Sequence, residues 1–190
     1  MARFTIFGTG NMGSAIGSVL TDGGSTVTHI THGSGGTVDG DVVILAVPYH
    51  ALNDIVATYG EQLRGKVVVD ITNPLNFETF DSLVVPAGSS AAAELAAKLP
   101  DSRVLKAFNT NFAATLSSKK VGDQKTTVLV AGDDDAGKQL LVSALEAGGV
   151  AAIDAGSLAR AHELEALGFL QLTLAVGEKL PWTGGFTVAR

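Results

Sequence analysis

A chain of 190 residues, 46% hydrophobic and 17% charged, is long enough to bury a core as one domain or as one large and one small. Its net charge of −6, with no basic run longer than Lys119-Lys120, argues against nucleic acid and anionic membrane surfaces as partners. The lack of cysteine excludes disulfides and thiol chemistry, and no stretch reads as a secretory signal or a membrane span, so the expected location is the cytoplasm.

Taken in order, the chain opens with a short β-favouring run, Phe4, Ile6 and Phe7 around Thr5, cut by Gly8. Gly8-Thr9-Gly10-Asn11-Met12-Gly13 then has the GxGxxG spacing, and a helix is predicted over about Asn11 to Asp22, opened by a cap at Thr9 or Asn11. In a dinucleotide-binding turn the first glycine permits the reversal, the second lets the backbone approach a pyrophosphate, and the third lets the helix pack closely on the strand. The phosphate would rest on unpaired N–H groups at the positive end of the helix dipole.

Gly23-Gly24 stop that helix, and Thr26–Ile30 reads as the second strand. An NAD site places an acidic residue about twenty positions past the glycines to hold the ribose 2′-hydroxyl. Here that stretch is Thr31-His32-Gly33-Ser34, with no carboxylate before Asp39 and no arginine. It favours NADP, although His32 reads also as a solvated loop residue.

Asp41–Val47 is a continuous apolar run typical of a parallel strand buried on both faces. It follows the second strand so closely that the usual crossover helix and extra strand cannot fit. Ala46, Val47 and Pro48 would line the adenosine or ribose side, and a helix begins near Tyr49 or Ala51 and runs to Tyr59. His50 either touches the cofactor or serves as a helix-entry residue. The next strand, Lys66–Ile71, ends in Thr72-Asn73-Pro74-Leu75, where Asn73 either holds a nicotinamide amide or caps its own backbone. Residues 76–90 read as irregular, and Ser89 or Ser90 starts an alanine-rich helix over Ala91–Leu99.

Arg103–Asn109 is a further strand, interrupted by Lys106, which needs an ion-pair partner or a ligand if buried. Thr126–Ala131 is another, followed by Asp133-Asp134-Asp135, acids that suit the start of a helix reaching Glu146 better than a metal site. After Val150–Asp154, a long helix capped by Ser157 is predicted to reach about Lys179, with apolar residues on more than one face, so a homodimer is expected. Arg160 with Glu163 and His162 with Glu165 read as i, i+3 pairs on it. The tail, with Trp182 beside two glycines, is placed to close over a cleft.

Together Gly8–Gly13, Ala46-Val47-Pro48, Val69–Leu75, Lys106–Thr110 and Ile153–Leu158 resemble, in this order, the NADP oxidoreductase, coenzyme deazaflavin-dependent family. The cytosolic domain of the six-helix transmembrane metalloreductases looks similar. The resemblance implies a Rossmann-type NADP site and hydride transfer between NADPH and an 8-hydroxy-5-deazaflavin coenzyme. It implies further that Thr9, Asn11 and Met12 cradle phosphate, that Thr31 and His32 stand where the family places a serine and an arginine for the 2′-phosphate, and that Ala46 to Pro48 border the ribose.

The expected fold is therefore α/β, a Rossmann-type doubly wound and mostly parallel sheet with a shortened region after strand two and a long C-terminal helix. Residues 1–110 would form the dinucleotide-binding core and 111–190 an extension packed on it. The cofactor-binding set is Gly8, Thr9, Gly10, Asn11, Met12, Gly13, Thr31, His32, Ala46, Val47, Pro48, His50, Asn73 and Pro74, with no metal and no assigned catalytic side chain. The expected activity is hydride transfer between NADPH and a deazaflavin- or flavin-like small-molecule acceptor, which asks for two rings held face to face. Two alternatives stand beside it: an NADPH-binding sensor without turnover, and a reductase of a small carbonyl metabolite with Lys106, His50 or Tyr49 as proton donor.

Overall fold

The computed structural model describes residues 2–31, 33 and 35–189. Strand β1 (Arg3–Phe7) leads through the glycine turn into helix α1 (Asn11–Asp22), and β2 (Thr26–Ile30) follows. β3 (Val42–Leu45), a 3-10 turn at Tyr49–Ala51, α2 (Leu52–Leu63) and β4 (Val67–Asp70) form the next unit. Then come α3 (Ala91–Lys98), β5 (Arg103–Lys106), the short α4 (Ala113–Ser118) and a small hairpin of β6 (Lys120–Val121) with β7 (Gln124–Lys125). β8 (Thr127–Gly132), α5 (Asp135–Ala147), β9 (Ala151–Gly156), a 3-10 turn at Leu158–Arg160 and α6 (Ala161–Val176) complete the order.

Seven strands make one sheet in the order β2-β1-β3-β4-β5-β8-β9, with parallel pairing at each step apart from the antiparallel step between β5 and β8. Strand order reverses at β1, and ligands of doubly wound sheets bind in the crevice at the carboxyl ends of such strands. The pleat sorts the apolar side chains onto two faces. Phe4, Ile6, Val42, Ile44, Val67, Val69 and Leu105 meet Ile16, Val19 and Leu20 of α1 and Leu141 and Leu145 of α5. Phe7, Val43, Leu45, Val68 and Val104 meet Leu52, Ile55, Tyr59 and Leu63 of α2 and Leu95 of α3. Each such large side chain removed from water contributes about 1.5–3 kcal/mol.

Among the described residues between β2 and β3 there is no helix. Val38 instead sinks into the second core, and Gly40 N–H donates to Thr5 Oγ1 at 2.9 Å, so the link lies against the sheet. This is the shortened region that the close spacing of the two strands demands.

Several element ends differ from the sequence expectation. β3, β4 and β5 stop at Leu45, Asp70 and Lys106, because beyond them the chain turns into the loops of the site; Phe108 already has a left-handed backbone, φ 64°. The C-terminal helix begins at Ala161, because Leu158 N–H is held by Asp133 Oδ1 at 3.0 Å and Ser157 precedes a separate 3-10 turn. It stops at Val176, where Lys179 N–H closes back on the Leu174 carbonyl at 2.8 Å. Helix α4 and the β6–β7 hairpin had no counterpart in the expected elements. Ser90 and Asp134 cap α3 and α5 through Ala93 N–H and Gly137 N–H.

Candidate functional site

The glycine turn shows which of its glycines are dictated by packing. Gly8 has φ 106°, and a Cβ there would lie 2.2 Å from the Ala46 carbonyl oxygen; one on Gly13 would lie 2.4 Å from the Gly8 carbonyl oxygen. At Gly10, with an ordinary φ of −68°, a Cβ would meet nothing within 4 Å among the described residues. The open space over Gly10 faces the start of α1, which has neither a side-chain cap nor an acid in its first turn. Thr9 and Asn11 therefore do not cap the helix: Gly10 is its N-cap, and the Thr9 carbonyl accepts the Ser14 hydroxyl at 3.1 Å. Uncapped N–H groups at a positive helix end, beside the open space over Gly10, fit a pyrophosphate. His29, a residue that carried no pattern in the sequence, buttresses the turn by donating from Nδ1 to the Gly8 carbonyl at 3.0 Å.

Two clefts flank this turn. The first, about 410 Å³, is lined by Phe7, Gly8, Ile30, Thr31, Val47, Asp54, Ile55 and Tyr59. Tyr59 packs edge-on against Phe7 at its base, ring centroids 4.8 Å apart. The second, about 400 Å³, is lined by Asn11, Met12, Ile71, Asn73, Phe108, Asn109, Asn111, Phe112 and Trp182. Trp182 stacks at a tilt on Phe112 with centroids 4.9 Å apart, so the tail forms one wall of this cleft.

The remaining expected residues fall as follows. Ala46 lies against the turn, its carbonyl filling the space a Cβ at Gly8 would need, and Pro48 is exposed where it opens the 3-10 turn. His50 does not reach either cleft: it lines a crevice of about 50 Å³ with Tyr49 and Glu94. Pro74 is buried behind Asn73, its carbonyl taking Val84 N–H at 2.7 Å. His32 lies outside the described residues. Asn73 does not cap its own backbone; its Nδ2 donates to the Asn109 carbonyl at 2.8 Å and its Oδ1 accepts Asn109 Nδ2 at 2.9 Å. Sequence reasoning gives no site role to Asn109, Asn111 or Phe112: Asn109 falls in the Lys106–Thr110 stretch that carries the resemblance, and Asn111 and Phe112 sit in the turn after it with no repeat or spacing to mark them.

Behind the second cleft lies a buried charge cluster. Lys106 Nζ, fully buried, donates to Asp70 Oδ2 at 2.8 Å, to Glu165 Oε1 at 2.8 Å and to the Thr72 carbonyl at 2.5 Å. Asp70 Oδ1 accepts Thr72 N–H at 2.8 Å, and Glu165 accepts the N–H groups of Ala91 and Ala92 at the start of α3. Lys106 thus fixes the Thr72-Asn73 turn and ties α6 and α3 to the sheet. The expected His162–Glu165 pair does not form, because Glu165 turns inward to this cluster while His162 Nδ1 donates to the Ser89 carbonyl at 3.0 Å. The Arg160–Glu163 pair is present at 3.0 Å. Burial pushes the Glu165 carboxyl above its ordinary range, against the pull of Lys106. Tyr49, desolvated and donating to Glu94 at 2.5 Å, is pushed up to about 12 and faces the small crevice.

The model of the family "NADP oxidoreductase coenzyme F420-dependent" matches residues 30–74. An F420-dependent NADP reductase of Methanocaldococcus jannaschii is 33% identical over 150 residues, covering 77% of this chain and 67% of the archaeal protein. The chain belongs to the F420-dependent NADP oxidoreductase family. The rat metalloreductase STEAP3 is 32% identical over 127 residues, 67% of this chain and 25% of its own length. The chain thus spans about two thirds of the archaeal reductase and a quarter of the metalloreductase. The fold recurs at low identity: the crystal structure of a candidate F420-dependent NADP reductase from Arthrobacter sp. FB24 superposes with a TM-score of 0.86 at 22% identity, covering 100% of both chains. Among the described residues no helix is long and apolar enough to cross a membrane.

Proposed function

We propose that this NADP-dependent oxidoreductase passes a hydride between NADPH and a deazaflavin- or flavin-like ring, with the adenosine half of the nucleotide in the first cleft and the nicotinamide in the second. The observation that carries the reading is the pair of clefts on either side of an uncapped glycine turn. The nicotinamide supplies the hydride; the chain's residues supply position and dryness. Gly8, Gly10 and Gly13 with Thr9, Asn11 and Met12 would hold the pyrophosphate, and Thr31 and Val47 would border the adenosine ribose. Ile71, Phe112 and Trp182 offer apolar walls to stacked rings and keep water off the reacting carbon.

The names of the archaeal relatives support a deazaflavin acceptor. The side chains considered as proton donors for a carbonyl substrate do not line the second cleft: Lys106 is engaged by two carboxylates, and Tyr49 and His50 line the separate crevice. Exposed Leu170 and Val176 on α6 and Phe186 and Val188 on the tail support a homodimer. The test is NADPH oxidation, followed by nicotinamide absorbance, with a deazaflavin, a flavin, a ferric chelate and a small ketone as acceptors. Turnover with the first two is expected, and turnover with the ketone alone would overturn the reading.

A further inference from the structure

Among the described residues three buried side-chain atoms lack a hydrogen-bond partner, and two of them, Asn109 Oδ1 and Asn111 Oδ1, belong to residues lining the second cleft. Their orientation is fixed by carbonyl neighbours. Asn109 Nδ2 donates to the Leu164 carbonyl at 2.7 Å and to Asn73 Oδ1, and Asn111 Nδ2 donates to the Thr127 carbonyl at 2.9 Å. Flipping either amide would set oxygen against oxygen, so in both it is the acceptor that is left over. A buried acceptor without a donor is costly, and one carried by a residue that lines a cleft is placed to be satisfied by the donor of a ligand seated there.

The two amides are not equivalent. Asn109 is locked from both sides by Asn73 and α6, whereas Asn111 hangs from one hydrogen bond. Asn111 is 6% exposed and ends a tight turn in which its N–H returns to the carbonyl of Phe108 at 3.0 Å, with Phe108 in the left-handed region. A bulky residue held in that conformation is a strained feature of the kind kept where it places a group.

Given the placement of the nicotinamide in this cleft, on which the inference rests, we propose that Asn111 reads the nicotinamide carboxamide, its Oδ1 accepting the amide N–H. The carboxamide carries the one N–H donor of that ring, and the remaining walls of Met12, Ile71 and Phe112 suit the ring itself. Asn111 is then a specificity-determining residue that sets which end of the ring enters and keeps C4 turned to the acceptor.

The test is calorimetric titration of the full chain with three probes: NADP⁺, 3-acetylpyridine adenine dinucleotide phosphate, which keeps the carbonyl and loses the N–H, and adenosine 2′,5′-bisphosphate. The wild type should bind NADP⁺ about tenfold tighter than the acetylpyridine analogue, about 1.4 kcal/mol. In Asn111→Leu and in the smaller Asn111→Ser the two should bind within about twofold of each other, with bisphosphate affinity unchanged. No preference in the wild type, or the same preference in the variants, overturns the assignment of Asn111 while bisphosphate binding leaves the dinucleotide reading standing. Failure of the bisphosphate to bind the wild type would instead remove the dinucleotide reading, and this assignment with it.

Discussion

Replacing Lys106 by methionine keeps most of the apolar stem, one atom shorter, and deletes one charge from a fully buried cluster. The ammonium answers Asp70, Glu165 and the Thr72 carbonyl at once, at 2.8, 2.8 and 2.5 Å. Removing one partner of a buried pair costs about 3–5 kcal/mol, because a charge is left unpaired in a poor solvent. Here two carboxylates are left, so the upper end applies, a large share of the about 5–15 kcal/mol that holds a typical domain together. The deficit must depend on pH. Burial already raises Glu165, and without Lys106, which pulls it back, its carboxyl rises further above the unfolded value. A group whose folded pKa is raised contributes stability at low pH that is lost as pH rises through that pKa. The variant should therefore be closest to wild type in mild acid and fall behind it toward neutrality. Lys106→Met/Glu165→Gln, with one carboxylate fewer, should recover part of the loss at neutral pH. Urea unfolding followed by far-ultraviolet circular dichroism at the two pH values measures it. A deficit below about 1 kcal/mol, the size of an exposed pair, and flat with pH would refute the reasoning.

The glycine turn gives a second pair of outcomes. Gly10→Ala should change stability by no more than about 0.5 kcal/mol, since no atom opposes the new Cβ, yet weaken NADPH binding at least about tenfold. Gly8→Ala should cost more than about 1 kcal/mol in stability as well, because φ is 106° and the Ala46 carbonyl blocks the methyl; equal behaviour of the two variants in a thermal melt and a titration would contradict this division. Ultraviolet titration should find a tyrosine ionising near about 12, lost in Tyr49→Phe, and activity should be flat in this group's titration at neutral pH. Sedimentation velocity should show a dimer, shifted toward monomer by Leu170→Glu and Val176→Glu together; a wild-type monomer would end the proposal.

What could be read from the sequence was local. The strand, the glycine spacing and the bounds of α1 depend on residues within a few positions of one another, and so do the serine start of α3, where Ser90 rather than Ser89 caps, and the acidic start of α5, where the cap role of Asp134 itself appears only in the structure. Lys106 announced its need for a partner because a lysine in an apolar strand must have one, but which carboxylates answered it depended on packing. Helical spacing alone therefore pairs Glu165 with His162, whereas its partner Lys106 lies on β5. The antiparallel direction of β8 leaves no mark in an apolar run, which packs equally well either way. Asn73 and Asn109 each look like an ordinary turn residue, and only the fold brings their amides together in one cleft. The polar stretch that holds α4 and the small hairpin has no periodicity to reveal them.

Direct hydride passage between nucleotide and acceptor ring inside the second cleft is the step on which the proposed function stands. It is tested by NADPH carrying deuterium on C4, in both stereochemical forms, with a deazaflavin acceptor whose reduced ring carbon keeps the transferred atom. One form should deliver its deuterium to the ring carbon in full and the other none, as two rings held in one fixed stacking require. Deuterium lost to solvent from both forms, or NADPH left unoxidised with the label in place, would contradict it.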